Sequence, residues 1–182
     1  MPGIDVPIPP FPEPFHHTPE EAMDFVGRIL WDIVDRAKSE LKPTPKRVVH
    51  LNVGQRVPWD EVCEGQLAGR ILTITPWTGP RGAAALPCGV WEWIVTLGVS
   101  IVRCISTVDD DGTVPTTNQM DLDGLQMTRD LANLQRVIQC HPSVRTVGAW
   151  NPLGAQGGGG GGEWTFQVRV SVCACPDHLT GP

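Results

Sequence analysis

The stretch Val90 to Ile105, V-W-E-W-I-V-T-L-G-V-S-I-V-R-C-I, is the longest run in the chain that reads only as a buried strand, and the rest is organised around it. Trp91, Trp93, Val95, Leu97, Val99 and Ile101 recur at the two-residue period of a strand and share one face, whereas Glu92, Thr96, Gly98 and Ser100 share the other. The first face is core. The second mixes Ile94 and Val102 with small and polar residues, which predicts cover along part of its length.

Further elements follow from local signals on either side. Thr18-Pro19-Glu20-Glu21 is a helix start in which the Thr18 hydroxyl caps the Glu21 amide, Pro19 takes the first helical position and Glu21 reaches back. Ala22, Phe25, Val26, Ile29, Leu30, Ile33, Val34, Ala37 and Leu41 then repeat at three and four residues as one buried stripe, and Pro43 ends the helix. Arg47 to Val53 alternates as a short strand, and Gln66 to Pro76 as another, with Leu67, Ile71, Thr73 and Thr75 opposed to Ala68, Arg70, Leu72 and Ile74. A second helix is expected from a cap at Asn118 or Asp121 to about Cys140, with Leu122, Leu125, Thr128, Leu131, Leu134 or Gln135, and Ile138 as its inner stripe. Val144 to Trp150 and Glu163 to Cys173 read as strands, and in the second Trp164, Phe166, Val168, Val170 and Val172 point inward. Between them Asn151 to Gly162, ending in six glycines, reads as a flexible hairpin.

These elements predict an α+β two-layer sandwich, in which a mixed or antiparallel sheet of about five strands carries two α-helices on one face. A chain of 182 residues suits one such domain, placed at residues 18–175 between a proline-rich arm, residues 1–17, and a C-terminal tail, residues 176–182. Ile4, Ile8, Phe11 and Phe15 stand between the prolines of the arm, where solvent would waste them, so the arm reads either as a tail or as a strap on a neighbouring subunit. Trp31 falls off the buried stripe of its helix, and Trp77 opens an aperiodic loop to Pro87; both are candidate interface anchors with Ile8, Phe11 and Phe15.

Several function classes lack their chemistry. A net charge of −6 without a Lys/Arg cluster does not suit a nucleic-acid binder. No run approaches the roughly 18 apolar residues of a membrane helix, and six scattered cysteines suggest free buried thiols. Asp109-Asp110-Asp111-Gly112 does not follow a calcium-loop pattern, His50 has no ligand partner at a metal spacing, and Cys173-Ala174-Cys175 with His178 lacks a second ligand pair. No nucleophile elbow and no phosphate-cradling glycine pattern occurs. The expectation is a non-catalytic assembly module without metal or cofactor.

The order of elements, the strand W-E-W-I-V-T-L-G-V-S-I-V-R-C before an acidic turn, the helix containing G-L-Q-M-T-R-D-L and the ending P-L-G-A-Q-G-G-G-G-G-G-E-W-T-F-Q-V-R-V together resemble the tail terminator proteins of long-tailed actinobacteriophages. The likeness spans Thr18 to Cys173. It implies a virion protein, assembled in the host cytoplasm as a ring of six copies that caps the tail tube, halts its polymerisation and meets the head-to-tail connector or stopper protein. Genomic DNA would pass through the lumen without specific binding, and Asp109, Asp110 and Asp111 would either line that path as a repeated acidic tip or form a solubilising turn on the outer wall. The alternatives are another connector or stopper of the neck, a small hydrolase or metal enzyme assembled from Asp109, Asp110, Asp111, His50, His141 and the cysteines, and a monomeric host-directed binding module.

Overall fold

The computed structural model describes residues 15–16, 18–52, 62–77, 90–108, 111–156 and 158–173. In chain order they form β1 (Phe15–His16), α1 (Pro19–Glu40), β2 (Arg47–Asn52), a single 3-10 turn (Val62–Glu64), β3 (Gln66–Pro76), β4 (Val90–Cys104), α2 (Thr117–Gln139), β5 (Val144–Gln156) and β6 (Gly159–Cys173). The sheet runs β1-β6-β4-β3-β2, with β5 on the same side of β6 as β1 but at the other end of that strand. The β3-β4, β4-β6 and β5-β6 pairs are antiparallel, and β1-β6 and β2-β3 are parallel, so the sheet is mixed. Both helices pack on one face, giving the expected α+β two-layer fold.

β4 is the central strand, and Val95, Leu97, Val99 and Ile101 on its helix-facing side are fully buried. They meet Phe166, Val168, Val170 and Val172 of β6 and the α1 stripe Ala22, Val26, Leu30, Ile33, Val34 and Ala37. The Thr18 capping box forms as expected, with the Glu21 amide donating to the Thr18 hydroxyl at 3.1 Å and the Thr18 amide to the Glu21 carboxylate at 3.3 Å. Gly69 leaves room for α1 to pack close against the sheet. A Cβ there would meet the His50 carbonyl oxygen at 2.7 Å and the side chains of Leu30 and Val34 at 2.9 Å.

Five expectations need correction. The glycine run is not a flexible loop: Gly159 to Gly162 are buried strand residues of β6, paired with Cys104 to Ile101, and β5 extends to Gln156. Glycine is required there because a Cβ on Gly161 would enter the Ile101 carbonyl oxygen, and one on Gly162 would enter the Trp150 indole. The cap of α2 is Thr116 with Gln119, a capping box one residue ahead of Thr117, so Asn118 and Asp121 lie inside the helix. In β3 the register shifts between Ile71 and Thr73, which moves Ile74 onto the side of Ile71, opposite Val95. Phe15 belongs to β1 on this chain's own β6 rather than to a free arm. Finally, Cys63 and Cys104 form a disulfide, because the β3-β4 ladder brings the 3-10 turn beside the end of β4 across 41 residues of sequence.

Candidate functional site

Among the described residues, no group of three His, Cys, Asp or Glu side chains is placed to hold a metal ion. Among the same residues, no helix is long and apolar enough to cross a membrane. His50 and His141, the two histidines within the described residues that sequence patterns single out, are each paired with an aspartate. His141 is buried at the end of α2, with Nε2 3.2 Å from Asp32 Oδ2, and its Nδ1 accepts the Ser143 amide at 3.2 Å. Burial pushes the His141 imidazole below its usual pKa; Asp32 pulls it up and Arg36 pushes it down. A neutral ring with its proton on Nε2 fits both contacts.

His50 serves a surface feature. Its imidazole stacks on the Trp31 indole, with centroids 3.9 Å apart and planes 10° from parallel, and its Nε2 lies 2.8 Å from Asp35 Oδ1. The imidazole, itself held by Asp35, therefore orients a tryptophan that remains 53% exposed on α1, above strand β2. Leu51 is exposed on the same strand. A large aromatic held in one rotamer loses little entropy on binding, which is the character of an interface anchor.

A second apolar surface lies on α2. All four of its buried residues, Asp130, Leu134, Val137 and Ile138, belong to its second half; in the first half Met120, Leu122 and Leu125 are exposed, while Asp123 accepts the Ser106 amide and Gln126 donates to the Lys42 carbonyl. Leu122 and Leu125, placed in the inner stripe by sequence, are 58% and 48% exposed. The spacing already contained the signal: at 100° per residue Leu122 lies about 160° round the helix from Ile138, so one straight stripe cannot hold both. Val114, just ahead of the helix, is also exposed.

The sheet face turned away from the helices is polar and cross-linked. Arg70 on β3 donates through Nε and Nη2 to the two Glu163 oxygens on β6, both at 2.6 Å, spanning Gly98 of the central strand. A Cβ at Gly98 would overlap the Glu163 carboxylate, so glycine there makes room for the pair. Toward the other end of the sheet Arg169 pairs with Glu92, and its guanidinium sits 3.9 Å from the centroid of Trp77, which remains part-exposed.

Of the acidic triplet, Asp109 and Asp110 lie outside the described residues. Asp111 is exposed, and the hydrogen bond it accepts from the Thr113 amide at 2.9 Å holds its carboxyl below the usual pKa. Ile8 and Phe11 also lie outside the described residues, as does the Phe15 side chain. Trp31 and Trp77 sit on different sides of the sheet, one above β2 in the helical layer and one beneath Arg169 on the polar face, so the structure does not join them in one site. No protein-family model matches the chain, and neither does any curated protein sequence.

Proposed function

We propose that this chain is a structural virion protein, a tail terminator that assembles into a ring of six copies, caps the tail tube of a long-tailed phage and joins it to the head-to-tail connector. The observation that carries the reading is the placement of the exposed apolar side chains. Trp31 on α1, and Leu122 and Leu125 on the first half of α2, expose apolar side chains on two different helices of one small domain. A subunit with two distinct apolar faces can bind two neighbours at once, as a ring requires. The α+β fold and the likeness of residues 18–173 to tail terminators support the same reading, and Asp109 to Asp111 supply negative charge suited to a DNA path.

The test uses tail tubes assembled from the tube protein of a long-tailed phage. Added protein is expected to decorate a single tube end in electron micrographs and to stop further elongation. Binding along the tube wall, or tubes that keep growing at the wild-type rate, would contradict a terminator. Binding to the isolated connector alone would favour a different neck protein.

A further inference from the structure

We infer that Trp31 receives the proline-rich arm of a second copy of this chain, with Phe11 against its indole; the inference rests on the ring reading and names one contact that would close it. Phe15 and His16 are fixed on β6 opposite Ser171 and Val172, and β5 takes the same edge of β6 from Val168 onward. The residues before Phe15 therefore cannot continue along β6, and Pro14, Pro12, Pro10 and Pro9 lack the amide such a ladder needs. The arm departs from the β1 edge of its subunit. At no more than about 3.6 Å per residue, Phe11 stays within about 14 Å of Phe15. Its own Trp31 is out of that reach. The indole lies on His50 of β2, four strands from β1, which is about 19 Å at the spacing of paired strands. Val49 of that strand also aligns, through Ala68 and Ser100, with Glu163 rather than Ser171 of β6, about 26 Å along the strand.

Trp31 suits such a segment. His50 orients the exposed indole, and Asp35 holds His50 in turn. Gly27 lies one turn ahead on the same face of α1, in the direction that helix side chains lean, and a Cβ there would meet nothing within 4 Å. Nothing among the described residues requires glycine at that position, and glycine inside a helix destabilises it relative to alanine. Open space beside a fixed indole instead suits close approach by another chain. Proline-rich segments dock on exposed aromatic rings because they are stiff before they bind, and Phe11, between Pro10 and Pro12, brings a ring of its own to that contact. The exposed large apolar residues of α2, Met120, Leu122 and Leu125, include no aromatic ring.

The test is photo-cross-linking in the full chain, with Phe11 replaced by benzoylphenylalanine and assembly followed by mass photometry. Irradiated rings are expected to give covalent oligomers on denaturing gels, linked from position 11 to the segment Gly27 to Asp35 of another chain. Gly27→Gln fills the open space without touching the rest of the domain. It should melt at or above the wild-type temperature, yet lose that cross-link and need about tenfold more protein to assemble; Trp31→Ala should weaken assembly at least as much. Rings in which position 11 links within its own chain, links to Met120, Leu122 or Leu125, or does not link would overturn the inference and leave the ring reading standing. Gly27→Gln rings formed at the wild-type concentration would do the same. A wild type that is monomeric at every concentration would overturn both.

Discussion

Arg103 of β4 and Asp130 of α2 form an ion pair whose carboxylate is wholly buried and whose guanidinium is 8% exposed. Arg103 Nε pairs with Asp130 Oδ2, and Nη2 donates to Oδ1 at 3.2 Å and to the Pro43 carbonyl at 2.8 Å. Gln126 completes the cluster, donating to Asp130 Oδ1 at 3.0 Å and to the Lys42 carbonyl at 2.7 Å. One polar knot therefore holds the end of the central strand, α2 and the link between α1 and β2.

Removing one member should leave a buried charge without its partner. Asp130→Ala is expected to cost about 3–5 kcal/mol, while Asp130→Leu with Arg103→Met should cost much less, because both charges leave together. Urea unfolding of the three proteins measures this. Equal losses for the single and double variants would show that the knot is not an ion pair in energetic terms.

The strand glycines give a position-specific contrast. A Cβ on Gly161 meets main chain, which cannot rotate away, whereas one on Gly154 of β5 meets nothing within 4 Å. Gly161→Ala should destabilise by about 1–3 kcal/mol or more through overpacking, and Gly154→Ala should stay within about 0.5 kcal/mol of wild type. Thermal and urea melts compare them directly. Equal stability of the two would return the glycines to a loop.

The contrast also marks what the sequence made legible. Strands β4 and β6, and helix α1 with its capping box, could be read because their period and cap chemistry are local. Gly159 to Gly162 have no side chain from which a period can be read, and their strand character comes from β4 beside them and from the Trp150 ring over Gly162. The outer position of Leu122 and Leu125 followed from helical geometry, but extending the three- and four-residue spacing as one straight stripe placed them inward. The stack of Trp31 on His50 joins residues 19 apart on two elements, and the Cys63–Cys104 bond depends on the β3-β4 register; neither leaves a local pattern.

That disulfide closes a loop of 41 residues, so its removal frees the unfolded chain considerably. Cys63→Ser with Cys104→Ser is expected to lower stability by about 2–4 kcal/mol, seen as a lower urea midpoint. Reductant should shift wild type by a similar amount and leave the double variant unchanged. A wild type indifferent to reductant, with both thiols free to alkylation, would show the bond absent.

His141 makes stability depend on pH in a defined direction. Its folded pKa lies below the unfolded value near 6.5 because burial disfavours the charged ring, so the unfolded chain takes up the proton first. The contribution is complete above about pH 6.5 and is lost as pH falls through the window between the unfolded and the folded pKa. His141→Asn should flatten the stability profile below about pH 6.5 relative to wild type. Identical slopes for the two proteins would remove His141 from the account.

The central claim, that this chain is a ring-forming subunit, is tested most directly by native mass spectrometry of the pure protein across concentration and salt. The account predicts a closed species of about 119 kDa, six times the 19.8 kDa of one chain. A single 19.8 kDa species at all concentrations, or a two-fold dimer that grows no further, would contradict it.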